Sequence, residues 1–420
     1  MKNRIAVFVA VGVAHAATAA TNEPAETIDG LVARALAGNP EIRFYEARIE
    51  IGKAELRTAG QWENPELSVG AGHKRVSGGG SPIDHGYAIS ASLAQRIEFP
   101  QRVQLRKAIA NGQIELARLG LQKFRATIGN RIRTAVFGYQ AAAERARAAG
   151  RVADRTAGLL AALVQRDPAG VAPLLERRVI EAHVISLRRQ VRSFETEAER
   201  HEQELAYLIA APAERAINLA ELRPALPTPV PDGALLAMGE TNSFDLLFHA
   251  AELEQQGYRV KLARHERLPE VTLEPFFARE TGGGAQNIVG LGISLPLPIW
   301  NRNEGDIAAA QARETQLQAA FGVTLRRLHR DLIFHAHAYR AAWTRLQEWR
   351  PEAVGEFRKA AEMGDRHFRL GAIPVATYLE LQTQYLDAID TLLSQREEAY
   401  DQLLAVELLT GTTLSHGGRP

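Results

Sequence analysis

The sequence predicts a mainly α protein with a small β part, a helix–hairpin–long helix–helix unit written twice. Three observations predict it. Helical periodicity runs through long proline-free stretches such as Gln101–Val164. Four segments of about ten residues instead alternate apolar and polar with period two. The same parts recur in the same order, about 200 residues apart.

Composition agrees with this. The 420 residues are 46% hydrophobic and 24% charged, which excludes a wholly disordered chain. Aromatics make up 6%, and Ala and Arg are heavily used, as in long helices. Lys and Arg number 50 against 49 for Asp and Glu, without the positive excess of a nucleic-acid-coating protein. There is no cysteine, which excludes disulfides, thiol nucleophiles, thiolate zinc sites and lipid attached to cysteine.

The chain opens on a secretory signal peptide, residues 1–19. Lys2 and Arg4 form its basic start, and Ile5–Ala14 its apolar run. Ala14-His15-Ala16 and Ala17-Thr18-Ala19 offer cleavage after Ala16 or Ala19. The apolar run is too short to span a bilayer, and no later apolar run reaches about 18 residues.

The first unit covers 20–210, with a helix over about 26–62 and strands over about 66–75 and 86–96. Helices follow over about 101–164 and 172–210. The long helix carries an apolar stripe at Leu121, Phe124, Ile128, Ile132, Ala135 and Tyr139. Its partner steps by alternating fours and threes through Ile180, Val184, Leu187, Val191, Phe194, Ala198, His201, Leu205 and Leu208. That 3.5-residue seam marks a left-handed coiled coil.

A proline-rich extended connector follows at 211–232, centred on Pro224–Pro231. The second unit covers 233–411, with helices over about 233–267, 304–370 and 375–410 and strands over about 270–279 and 287–296. Pro351 kinks the long helix, and Gln382 and Arg396 make the last seam less pure. Residues 412–420 form a tail. Local matches tie the units together: Asn64–Leu67 with Leu268–Val271, Glu98–Arg102 with Pro298–Arg302, and Gly170–Glu176 with Ile373–Glu380.

The strands admit two readings. They could be soluble hairpins packed on helices. They could also cross a bilayer, since about ten residues is the length a tilted strand needs. On the second reading Leu67, Val69, Ile89, Leu93, Leu291 and Ile293 face lipid. Four strands cannot close a barrel, and lipid does not tolerate open edges, so the chain must then share its barrel with copies of itself.

Catalytic and metal chemistry is not indicated. His335 and His337 lie two apart on a helix and diverge. His201 sits on the coiled-coil seam, and His249 and His265-Glu266 lack partners at ligand spacing. Gly78–Gly80 and Gly282–Gly284 have no phosphate-loop context, and no nucleophile motif is present. The expectation is a non-enzyme with no metal site and no cofactor.

The duplicated plan resembles the TolC-type outer-membrane factors of Gram-negative efflux systems. Ser294–Gly305, which reads Ser-Leu-Pro-Leu-Pro-Ile-Trp-Asn-Arg-Asn-Glu-Gly, is similar to the strand-to-helix junction of the cobalt–zinc–cadmium resistance branch. Phe368-Arg369-Leu370-Gly371-Ala372-Ile373 resembles the helix–loop–helix tip at the periplasmic end of these channels. Several members carry a lipidated N-terminal cysteine. This chain has none, so anchoring falls to the barrel.

The resemblance implies a homotrimer with a twelve-stranded β-barrel, continued by an α-helical barrel across the periplasm. It implies a passive outer-membrane conduit for divalent heavy-metal cations, with a periplasmic adaptor and an inner-membrane resistance–nodulation–division transporter as partners. Docking is expected at Gly170, Val171, Leu174, Leu370, Gly371, Ala372, Ile373 and Val375, and acidic lumen rings at Asp365, Glu380, Asp387 and Asp390. The first-unit tip, Arg166–Val171, is rougher than the second. Two alternatives stand beside this: a soluble periplasmic coiled-coil adaptor or scaffold, and a channel of the same fold exporting small organic compounds.

Overall fold

A computed structural model describes residues 27–77, 84–166, 171–210, 226–350 and 352–414. The expected signal peptide, Gly170 and most of the expected 211–232 connector lie outside these residues. The element order is α1 (Ile28–Gly38), α2 (Pro40–Ala59), β1 (Glu66–Val76), β2 (Asp84–Ile97), α3 (Pro100–Arg166) and α4 (Val171–Leu208). Then come α5 (Asp232–Asn242), α6 (Phe244–His265), β3 (Val271–Glu280), β4 (Gln286–Ser294), α7 (Glu304–Glu348), α8 (Ala353–Arg369) and α9 (Val375–Thr410).

Three stretches expected as single helices are pairs. The helix over 26–62 breaks at Asn39-Pro40. Asn39 is extended and its Oδ1 accepts from the Glu41 N–H at 2.8 Å, while Pro40 starts α2 where its missing N–H costs nothing. The helix over 233–267 breaks at Ser243, whose ψ of 122° is extended. The helix over 304–370 separates into α7 and α8 after Glu348, where Trp349 turns extended with a ψ of 120°. The kink expected there is a full break.

The 67 residues of α3 form a rod of about 100 Å. A rod that thin cannot enclose one core, so burial occurs in clusters along it. Near the sheet, Val260, Ala263 and Ala310 join α6 to α7. Further along, Leu31, Ile128, Ile132 and Leu205 join α1, α3 and α4. Leu235, Leu246, Leu332 and Val406 gather α5, α6, α7 and α9. Farther still, Val152, Leu187, Tyr385 and Leu393 join the two halves of the chain. At the far end, Leu159, Ile180, Phe368 and Tyr378 pack together, with the two rings stacked 5.1 Å apart. The seam of α4 is buried at Ile180, Val184, Leu187, Leu205 and Leu208. The connector residues that are described, 226–231, belong to no helix or strand, and Pro231 is extended. Tyr339 pins them by donating its hydroxyl to the Pro227 carbonyl at 2.5 Å.

The four strands form one antiparallel sheet in the order β1-β2-β3-β4. The hairpin-to-hairpin join is β2 with β3, so β1 and β4 are the edges. All helices leave from the same end of the sheet, and the strand ends at Val76, Asp84, Glu280 and Gln286 lie at the other.

Candidate functional site

The register sorts the sheet into two faces. Leu67 lies opposite Leu93, Val69 opposite Ala91 and Ala71 opposite Ile89. Ala91 pairs with Phe277, and Leu273, Pro275 and Phe277 pair with Ile293, Leu291 and Val289. Period-two alternation puts all of these on one face. They make an apolar band four strands wide. The other face carries Ser68, Gly70, Ser90, Ser92, Ala94, Glu274, Gly290 and Gly292. Phe276 also lies there, over Gly290, where an added Cβ would stand 2.6 Å from its ring.

Among the described residues, no helix packs over either face. Val69 is 71% exposed and Ile293 69%, and Leu67, Ile89, Leu93 and Leu291 are exposed beside them. An uncovered apolar band of this size is untenable in water and suited to lipid. The edge strands β1 and β4 leave backbone donors and acceptors unpaired within the chain, which lipid would penalise. Among the described residues, no helix is long and apolar enough to cross a membrane. The candidate site is therefore a strip of channel wall, lined on its second face by small and polar side chains.

At the far end of the rod, α8 stops in a Schellman turn. Gly371 takes a φ of 75°. Its N–H donates to the Phe368 carbonyl, and that of Ala372 to the His367 carbonyl, both at 2.9 Å. Leu370 projects, 79% exposed. Gly371 and Ala372 are exposed beside it, and Leu174 is exposed at the start of α4. Ile373 and Val375, expected to be available for docking, are instead half-buried against the Leu159–Phe368–Tyr378 cluster. They staple α8 to α9, because an apolar pair flanking a tight turn buries more area inward than outward.

The four expected ring acids are not equivalent. Asp365 is largely buried and accepts from Arg369 Nε at 3.2 Å. Asp390 is tied to Arg145 Nε at 2.7 Å. Glu380 accepts from Gln384 at 2.7 Å and, like Asp387, is exposed on α9. Among the described residues, no three His, Asp or Glu side chains gather to hold a metal ion.

The family model described as outer membrane efflux protein matches residues 31–211 and again 235–412. The chain belongs to that family. This efflux channel is outer-membrane, as its apolar sheet face requires. It shares its fold with the outer-membrane channel OprN at 18% identity and a TM-score of 0.74, covering 92% of this chain and 90% of that one. CusC, known for transmembrane channel formation, aligns at 12% identity and 0.70, covering 92% of each chain. VceC of Vibrio cholerae aligns at 18% and 0.70, covering 92% of this chain and 96% of that one. No curated protein sequence matches the chain.

Two side-chain clusters of the efflux channel went unassigned in the sequence. At the sheet-to-rod junction, buried Arg102 opens α3 and reaches into the other half of the chain. Its guanidinium pairs with Glu270 and donates to the carbonyls of Leu268 and His265, the latter at 2.9 Å. Beside it Arg106 donates to Glu98 Oε1 at 2.9 Å. This bond, foremost, holds the buried Glu98 carboxyl below the usual glutamate range. The only signal was the positional match of Glu98–Arg102 with Pro298–Arg302, and it carried no hint of the partner Glu270.

The second cluster lies mid-rod. Arg145 of α3 is 7% exposed in its side chain and reaches α9. It contacts Asp390 and Glu397 at 2.7 Å and Ser394 at 2.8 Å. Burial opposes its charge, but the two carboxylates together hold its pKa above the usual arginine value. Toward the tip, Arg155 pairs with Glu362 at 3.1 Å, and Thr156 shares a hydrogen bond of 3.2 Å with Tyr378. Each of these contacts joins the first half of the chain to the second.

Proposed function

We propose that three copies of this chain close a twelve-stranded barrel and form a passive conduit for divalent heavy-metal cations. The carrying observation is the sheet: two unpaired edges, an apolar outer face and a small, polar second face. Four strands per chain and closure by identical copies make three the reading that matches the family resemblance. Support for metal cations comes from the junction Ser294–Gly305 and from exposed Glu380 and Asp387, which three-fold symmetry would repeat as rings. A periplasmic adaptor and an inner-membrane resistance–nodulation–division transporter would supply docking and energy. Leu370, Gly371 and Ala372 form the surface offered to the adaptor.

The test is a tolerance assay with zinc, cobalt and cadmium, alongside small organic toxicants, beside a trimer blot on the same cells. Leu370→Asp should abolish metal tolerance while trimer abundance stays normal. Normal tolerance, or loss explained by loss of trimer, removes the docking role. Loss of tolerance to organic toxicants alone transfers the reading to the organic-export alternative.

A further inference from the structure

We propose that the loop-end rim of the apolar sheet face binds phosphorylated headgroups of the outer-leaflet lipid. The inference rests on the membrane placement of that face. On it, the apolar band runs from the helix end of the sheet and stops at the level of Ala71 and Ile89. Arg279 lies opposite Ile89 in the register. One step further come His73 opposite Tyr87, then Arg75 opposite His85. Alternation places all five on the same face as Leu67 and Val69. All five are exposed. The two imidazoles hold each other, with His73 Nε2 and His85 Nδ1 3.3 Å apart. By strand geometry the patch spans about 14 Å along the strands and about 10 Å across them.

Among the described residues, no carboxylate on this face balances the charge. The nearby carboxylates point the other way. Glu280 alternates with Arg279 and is paired with Lys74. Asp84 alternates with His85 and accepts from the Gly283 N–H. Residues 78–83 lie outside the described residues, and their sequence holds no acidic residue. At the helix end the same face carries Gln95, Ile97, Val271, Leu273 and Ile293, with no cation. Two arginines, two histidines and a tyrosine therefore crown the apolar band at one end only. A basic rim beside lipid-facing side chains suits an anionic headgroup, and guanidinium forks suit phosphate oxygens. All helices leave from the other end, so this rim meets the leaflet remote from the rod.

The experiment uses the full-length protein as purified in mild detergent. It is titrated with bis-phosphorylated lipid A, with the same lipid dephosphorylated, and with inorganic pyrophosphate, and read by native mass spectrometry. Lipid A is expected to bind and the other two not. Arg75→Gln and Arg279→Gln should each weaken binding about fivefold, and together about thirtyfold. Lys74→Gln, on the opposite face at the same level, should leave it unchanged. Equal binding of dephosphorylated lipid or of pyrophosphate overturns the proposal. So does unchanged affinity in the double variant, or an equal loss in Lys74→Gln. Failure of all variants to insert in membranes, wild type included, would instead fault the membrane placement.

Discussion

At the tip, one residue sets the turn. Gly371 has open space around a notional Cβ, so the barrier to substitution is its φ of 75° alone. Gly371→Ala should cost about 1 kcal/mol and Gly371→Asn less, read as faster amide exchange over 366–373. Equal exchange in both variants and wild type would show the turn does not need the left-handed conformation. At the junction, Glu98 contributes a pH dependence. Its folded pKa lies below the ordinary glutamate value of 4.5, because Arg106 bonds its ionised form. The pair therefore stabilises the fold above that ordinary value, and the contribution fades as pH falls through the lowered one. The thermal midpoints of wild type and Glu98→Gln should differ most near neutrality and converge as pH falls through the lowered Glu98 value. A constant gap across that range would remove Glu98 as the cause.

Among the elements, the contact that most needs explanation joins α3 to α9. Their packing is a seam of small and apolar residues, yet Arg145 is buried in it. An arginine there costs desolvation, which Asp390 and Glu397 offset only while both sides are present. Arg145→Met should therefore destabilise the rod by about 3 kcal/mol, chiefly by stranding Glu397, whose pKa burial already raises. Adding Glu397→Gln should recover much of that loss. Detergent thermal unfolding of the single and double variants measures it. Additive losses would show that the two side chains act independently. The specificity gain of such a pair is register: a coiled-coil seam can slip by a heptad, and a buried ion pair cannot.

For the whole molecule, the sheet decides the assembly. Its two free edges and uncovered apolar face leave it unfinished as a single chain. Light scattering in mild detergent should return three times the chain mass, and a monomer would defeat the barrel. Arg placed at both Ile89 and Leu291 should prevent insertion, since each mid-membrane Arg costs about 2–4 kcal/mol. Insertion at wild-type levels would show that face is not against lipid. The acids proposed to face the lumen give a separate test. Glu380→Gln with Asp387→Asn should lower cation preference, read as a shifted reversal potential in a salt gradient. Asp365 and Asp390, already engaged with arginines, should contribute little.

Much of this protein was legible in the order of its residues. Period-two alternation located the strands, and a seam stepping by fours and threes located the α4 coil. These patterns are local, because each residue's face follows from its neighbours at fixed spacing. That Leu67, Val69, Ile89, Leu93, Leu291 and Ile293 share one exposed face of the sheet was readable for the same reason. Local chemistry failed where a break depends on one residue: Asn39-Pro40 and Ser243 look innocuous inside long helical patterns. Only the tertiary structure decided the rest. It turned Ile373 and Val375 inward, tied Asp390 to Arg145, and joined Arg102 to Glu270 across 168 positions of sequence. It also gathered Arg75, His73, His85 and Arg279 onto one rim. Strand pairing and helix packing set those meetings, and they depend on distances in space that periodicity along the chain does not contain.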